Sequence, residues 1–242
     1  MRIALISDIH GNLEALTEVL SDIEKQKVDK IHCLGDVLGY GSDPVACLHL
    51  IEKHCDIKLI GNHEYAVLGL VSTDNYNTAA RTAADWTRDQ LTDVELALIS
   101  DYEMMRSVEN ITLVHASPNE PDRWHYLLTP DVASRAFGGF DDRICFHGHT
   151  HVPTIFVELA EGLPRVIAGH SFLPGEDNRY LINIGSVGQP RDNDPRACYV
   201  TFETEEYEVE YHRVEYDIAA AQSKMAQADL PEMLINRLSF GR

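Results

Sequence analysis

Arg2 to Ser7 is an almost unbroken β-branched and apolar run that stops at Asp8-Ile9-His10-Gly11-Asn12, the pattern of a strand buried on both faces. From Leu13 the apolar residues Leu13, Leu16, Val19, Leu20 and Ile23 recur at helical spacing, with Asn12 placed as an N-cap. The unit then repeats. Ile31 to Leu34 predicts a second strand with Gly35-Asp36 as its exit, and Val45 to His54 a helix preceded by Asp43-Pro44. Ile57 to Ile60 predicts a third strand, ending at Gly61-Asn62-His63. Successive strand-then-helix units imply a parallel sheet with helices packed on it, and in such sheets functional groups gather beyond the carboxyl ends of the strands.

Asn75 to Ser100 reads as an inserted helical segment, with Ala79, Ala80, Ala83, Ala84 and Trp86, then Leu91, Val94, Leu96 and Leu98, supplying apolar faces within residues 65–105. Ile111 to Val114 and Ile144 to Phe146 are short strands, each followed by histidine: His115, then His147-Gly148-His149-Thr150-His151. Ala197 to Phe202 and Tyr207 to Arg213 alternate more and predict an antiparallel second sheet, and Asp217 to Leu238 a helical tail. With no repeat or linker, a single domain over residues 1–242 is expected.

Composition narrows the functional classes. Apolar residues make up 44% of 242 positions, enough for a sizeable core, and 39 Asp+Glu against 20 Lys+Arg give a formal net charge of −19. Such a surface repels phosphate backbones, so nucleic acid is not the expected partner. Five cysteines without CxxC spacing suggest neither a disulfide framework nor a zinc finger and fit a reducing compartment. The opening apolar run is too short for a signal peptide or a membrane span, so a cytoplasmic protein without membrane attachment is expected.

The polar clusters carry the chemistry. Asp8 and His10 leave the first strand, Asp36 the second and Asn62-His63 the third, while His115 and then His149 and His151 follow the later ones. Carboxylate, imidazole and amide donors without thiolate suit manganese, iron, cobalt, nickel or zinc rather than calcium. Seven ligands exceed the needs of one tetrahedral ion; two cations sharing Asp36 use them all, a recurrent solution for displacement at phosphorus. Singly, a Gly-Asp turn or a lone histidine has an ordinary structural explanation, but the full series, each member after an apolar strand, does not.

In this arrangement the chain resembles the calcineurin-like metallophosphoesterase superfamily, with D-x-H, G-D, G-N-H-[ED], a lone histidine and G-H-x-H all present between Asp8 and His151. Asn183-Ile184-Gly185-Ser186 looks like the later N-P-G-S segment of bacterial members, with Ile184 where proline is usual. The resemblance implies a four-layer αββα sandwich of two mixed sheets flanked by helices. It implies one metal on Asp8, His10, Asp36 and His151, the other on Asp36, Asn62, His115 and His149, with manganese foremost and iron, zinc, nickel or cobalt as alternatives. His63 becomes the catalytic histidine, beside a metal-bridging hydroxide that attacks phosphorus.

The arginine that Ser/Thr protein phosphatases and symmetrical diadenosine tetraphosphatases carry soon after G-D is absent from Val37-Leu38-Gly39-Tyr40-Gly41, which favours the bacterial small-substrate branch. Arg191 is the candidate substitute and Asn12 a second substrate-contact candidate, although an N-cap explains Asn12 equally. Trp124 and His125 read as an exposed loop packing on the core, with lining of a pocket for a base or another aromatic group as the alternative, and His147 as a strand end. The expected activity is hydrolysis of phosphoester or phosphoanhydride bonds in a small phosphorylated substrate, with a nucleotide among the candidates. A dinucleoside polyphosphate hydrolase, a Ser/Thr phosphatase-like enzyme, a superfamily nuclease and a metal- or nucleotide-binding regulator are the competing readings.

Overall fold

A computed structural model describes residues 1–73, 76–168, 170–175 and 177–242. The first half follows the predicted alternation: β1 (Arg2–Ile6), α1 (Leu13–Gln26), β2 (Lys30–Cys33), α2 (Pro44–His54), β3 (Ile57–Lys58) and α3 (Asn62–Val67). Helices α4 (Thr78–Gln90) and α5 (Asp93–Ser100) follow. The second half holds β4 (Met105–Val108), β5 (Ile111–Val114), α6 (Pro130–Ala136), β6 (Ile144–His147), β7 (Thr154–Val157), β8 (Arg165–Ala168) and β9 (Tyr180–Asn183). The chain closes with β10 (Ala197–Glu203), β11 (Val209–Val214), α7 (Ile218–Gln227) and α8 (Glu232–Arg237).

The strands form two mixed sheets, β11-β10-β1-β2-β3 and β4-β5-β6-β9-β7-β8, flanked by helices in an αββα sandwich. Period-two alternation accounts for the layers. Ile3 and Leu5 of β1 point between the sheets, where they meet Leu113, Phe146, Ile182 and Phe202. Ala4 and Ile6 point outward onto Leu16 and Val19 of α1 and Leu48 and Ile51 of α2. On the far side, Cys145, Phe156 and Leu181 pack against Ala133 and Ala136 of α6. Because β1 is covered on both faces, its sequence reads as a continuous apolar run.

Four expectations change. The hairpin β10–β11 does not form a second sheet; β10 pairs antiparallel with β1, Ile3 opposite Phe202, and extends the first sheet. Alternation identified the strands, but a strand's partner is fixed by which face it can bury. The inserted helical segment, whose expected first residue Asn75 lies outside the described residues, splits at Thr92, where the Glu95 carboxylate reaches back to the Thr92 N–H and the Thr92 hydroxyl accepts from Val94. The tail likewise breaks between α7 and α8, where Asp229 is left-handed and Pro231 follows. The third strand shortens to two residues, because Leu59 pairs with Glu103 instead.

What positions the site is the run of parallel neighbours. β1, β2 and β3 are parallel in one sheet, as are β5, β6 and β9 in the other. The loops leaving these strands, together with the start of α3 at Asn62, carry every candidate ligand.

Candidate metal centre

Asp8, His10, Asp36, His63, His115, His149 and His151 are all buried, each at most 4% exposed. Three groups have ligand atoms mutually within 4.8 Å: Asp8, His10 and His151; Asp36, His115 and His149; and His10, Asp36 and His63. Asp36 lies at the junction. Its Oδ2 is 3.2 Å from His115 Nε2 and 3.7 Å from His10 Nε2, while its Oδ1 accepts the His63 backbone N–H at 3.0 Å. Asn62 Oδ1, outside those groups, lies 3.3 Å from His115 Nε2.

Backbone carbonyls fix which nitrogen of each ring faces inward. Nδ1 of His10 donates to Leu38 at 2.9 Å, Nδ1 of His115 to Leu34 at 2.9 Å and Nδ1 of His151 to Gln189 at 2.7 Å. His149 is turned the other way, its Nε2 donating to the Trp124 carbonyl at 3.0 Å and leaving Nδ1 as the lone-pair nitrogen. Burial first, then neighbouring charges, holds His10, His149 and His151 below the usual histidine value, His149 at about 3. Burial also opposes charge on His115, but the Asp36 carboxylate lifts it to about 9.

These tautomers test the fit for a cation. His10 Nε2 and His151 Nε2 stand 3.1 Å apart, and with both protons on Nδ1 two lone pairs face each other in a buried site. That contact is repulsive unless a proton or a cation lies between them. Spacings of 3.1 Å between those nitrogens and 3.3 Å from His151 to Asp8 match donors sharing one ion at about 2.0–2.2 Å. The residues fit a divalent cation on each side of Asp36.

The loops are built around these contacts. Asp8, His10, Asp36, His149 and His151 all have positive φ, between 51° and 66°, a region that costs non-glycine residues energy and clusters at functional sites. A Cβ on Gly61 would run into the Asp36 backbone and carboxylate, and one on Gly148 into Ser7 and Asp8. Glu64 is fully buried and accepts three backbone N–H groups, from Asp36 at 2.9 Å, Leu38 at 2.9 Å and Gly61 at 2.8 Å, which bind the second and third ligand loops together. Burial and the Asp36 charge raise its carboxyl to about 7 against those bonds.

His63 packs edge-on against His10, ring centroids 4.8 Å apart, and against Tyr40 at 4.4 Å; its Nδ1 has no hydrogen-bond partner among the described residues. Arg191 faces the same space, its guanidinium 5.9 Å from the Tyr40 ring centroid and acting electrostatically on His63 and His151. Asn12 is engaged at both ends: Oδ1 caps α1 at Ala15, and Nδ2 donates to Gly188 at 2.8 Å. His147 ends β6, buried beside Asn183.

Sequence reasoning passed over Tyr40, Tyr126 and the role of Trp124. Tyr126 stacks on His149 at 4.1 Å, and Trp124 lies 6.0 Å from His115 besides orienting His149, so this loop packs on the centre. Tyr40, four residues beyond Asp36, was the nearest to a sequence signal. A backbone carbonyl such as that of Trp124 leaves none.

Among known proteins, the family described as the calcineurin-like phosphoesterase superfamily domain matches residues 1–207. The uncharacterized protein MJ0912 of Methanocaldococcus jannaschii is 42% identical over 245 residues, covering 99% of this chain and 98% of that one. The crystal structure of a metallophosphoesterase from Sphaerobacter thermophilus is 42% identical with a TM-score of 0.89, covering 100% of this chain and 99% of that one. The hypothetical protein PH1004 of Pyrococcus horikoshii, at 17% identity and a TM-score of 0.77, covers 100% of this chain and 98% of its own and shares the fold.

Proposed function

Because the chain belongs to the calcineurin-like phosphoesterase superfamily, we propose that it hydrolyses a phosphoester or phosphoanhydride bond in a small phosphorylated substrate, with nucleotides within that class. It is a dinuclear metal-dependent hydrolase. In our reading Asp8, His10, Asp36 and His151 hold one cation and Asp36, Asn62, His115 and His149 the other, all within one domain spanning residues 1–242. The observation that carries this is Asp36 Oδ2, set between inward-facing Nε2 atoms of His10 and His115 whose protons are committed to backbone carbonyls. Manganese is our choice of resident metal, since the donors are nitrogen and oxygen without sulfur; iron, zinc, nickel and cobalt suit the same set. When bound, such a pair supplies Lewis acidity and lowers the pKa of water toward neutrality.

The protein's own groups do the rest. His63, held beside the centre by its backbone bond to Asp36, is placed to protonate the leaving oxygen or to stabilise charge on the phosphoryl group, with burial holding its imidazole below the usual histidine value. Arg191 grips phosphoryl oxygens from the loop after β9, in place of the arginine missing after Gly35-Asp36. Asn12 acts as a positioning residue, since both of its polar ends are used within the fold. We place the protein in the cytoplasm, a reading supported by five buried free thiols; no helix among the described residues is long and apolar enough to cross a membrane.

The test is hydrolysis of p-nitrophenyl phosphate and bis-p-nitrophenyl phosphate by chelated protein before and after Mn²⁺ is restored. Metal-restored turnover of either ester is the expected result. No turnover on both would overturn the assignment and leave a metal- or nucleotide-binding regulator as the better reading.

A further inference from the structure

His10, His115, His149 and His151 are each oriented by a hydrogen bond from one ring nitrogen to a backbone carbonyl, that of Leu38, Leu34, Trp124 and Gln189 respectively. His63 is oriented differently. Its backbone is fixed by the N–H bond to Asp36, but its Nδ1 is buried with no hydrogen-bond partner among the described residues. The outer torsion of a histidine is broad, so the plane of this ring has to be set by what it touches.

What the Nδ1 corner touches is a glycine. A Cβ on Gly39 would stand 2.2 Å from His63 Nδ1, 2.9 Å from Cγ and 3.0 Å from Cε1, so this corner of the ring occupies the place of the missing side chain. His10 and Tyr40 close on the ring edge-on, at centroid distances of 4.8 and 4.4 Å. Gly39 itself is held in place. Leu38, before it, donates its N–H to Glu64 at 2.9 Å and accepts from His10 Nδ1 at 2.9 Å, and the Gly39 carbonyl accepts the Gly41 N–H at 2.7 Å. The glycine wall is thus tied through Glu64 to the residue next to His63, while the Nδ1 corner that meets it is held by shape alone.

We propose that Gly39 is the positioning residue of His63: the absence of a side chain there seats the Nδ1 corner and fixes the plane of the ring, with Nε2 on the side away from the glycine. This rests on the reading of His63 given above and adds the residue through which its imidazole is aimed. A methyl group at position 39 would have to push the ring back by about 1 Å to reach ordinary contact, a misplacement of the size that costs about a hundredfold in rate. The φ of 86° at Gly39 is a separate reason for glycine. Strain from φ is indifferent to the residue at position 63, whereas the contact is not, and that difference separates the two.

The experiment is a double-mutant cycle of G39A and H63A in the full chain with Mn²⁺ restored, read on whichever chromogenic ester the protein turns over. G39A is expected to lower kcat about a hundredfold, with KM changed less than about threefold and both Mn²⁺ ions retained. In the H63A background, where the methyl meets no ring, G39A should change kcat by less than about twofold. Full rate in folded G39A overturns the proposal. So does an equal loss in both backgrounds, or loss of manganese from G39A, since either puts the effect on the loop instead of on His63. Urea unfolding of the same four proteins reads the contact without turnover. The midpoint should fall further from the unmodified protein to G39A than from H63A to the double variant, and equal falls overturn the contact. If G39A does not fold, the double variant is expected to fold, and its failure to do so overturns the proposal. An H63A protein with full rate sinks the catalytic reading of His63, whereas a slow H63A beside a fast G39A sinks only the positioning role. If neither ester is hydrolysed, the phosphoesterase reading fails, and the unfolding cycle still decides whether Gly39 seats the ring.

Discussion

His63 and Glu64 are adjacent in sequence and divide the work at the residue scale. The His63 ring lies beside the ligand rings with an unpartnered Nδ1, whereas Glu64 turns inward and accepts three backbone N–H groups. Replacing His63 by Ala is expected to lower kcat by about 10²–10⁴-fold, the span of general acid–base catalysis, while metal content measured by elemental analysis stays at two ions per chain. Loss of metal with loss of rate would instead make His63 a ligand, which its nearness to His10 and Asp36 allows to be tested directly. Glu64→Gln sets an amide NH₂ against backbone donors and should destabilise the protein by about 1–3 kcal/mol in a denaturant titration. The G-N-H-E motif marked this pair in the sequence, but the bonds Glu64 makes to Asp36 and Leu38 span 28 and 26 residues and carry no local signature.

At the scale of elements, the loops leaving the parallel strands are tense and closely stacked. Five of the proposed ligands have left-handed backbone, and Gly61 passes so close to Asp36 that no Cβ fits. Gly61→Ala should therefore displace the shared aspartate and drop bound Mn²⁺ below two per chain while the far-UV spectrum is kept. The C-terminal helices brace the same loops, with Lys224 of α7 paired to Glu14 at 2.6 Å and Asp43 at 3.2 Å. Lys224 is 39% exposed, so Lys224→Ala should cost less than about 1 kcal/mol, whereas Leu234→Ala, which opens the buried cluster beneath α8, should cost about 2–5 kcal/mol by thermal or denaturant unfolding. The longer helices and the buried strands β1, β2, β5, β6 and β10 were legible because period and length separate them, whereas the short α3 and α6 and the four-residue buried strands β7 and β9 were not read, being too short to show a period. The edge strands β4 and β8 were not, since Met105–Ser107 and Arg165–Val166 are exposed and carry no apolar alternation.

For the whole molecule, metal, protons and stability are linked. In the metal-free protein Asp36 lifts His115 to about 9, above its ordinary value of 6.5. The protonated ring therefore stabilises the fold fully below about pH 6.5, and that contribution is lost as pH rises through 9. A cation needs the neutral ring, so binding below pH 9 must expel a proton. Mn²⁺ affinity should thus rise with pH between about 6.5 and 8.5, by up to about tenfold per unit for one displaced proton, with a calorimetric enthalpy that depends on the buffer. An affinity flat over that range would show His115 to be neutral before metal binds. Free Mn²⁺ at 100 times its dissociation constant should raise unfolding stability by about 2.7 kcal/mol per site, and chelation should reverse the gain.

The order of residue types along the chain determined the strand-then-helix alternation, the donors of the centre and the absence of thiolate among them, because periodicity and donor chemistry are local properties. Tertiary structure decided where β10 and β11 pair, which nitrogen each histidine turns inward, and that the Arg191 guanidinium comes to stand 5.9 Å from the Tyr40 ring. Those outcomes depend on which surfaces two sheets can bury against each other and on backbone carbonyls delivered by distant loops. Such contacts are made by the folded chain as a whole and leave no mark in any short stretch of it.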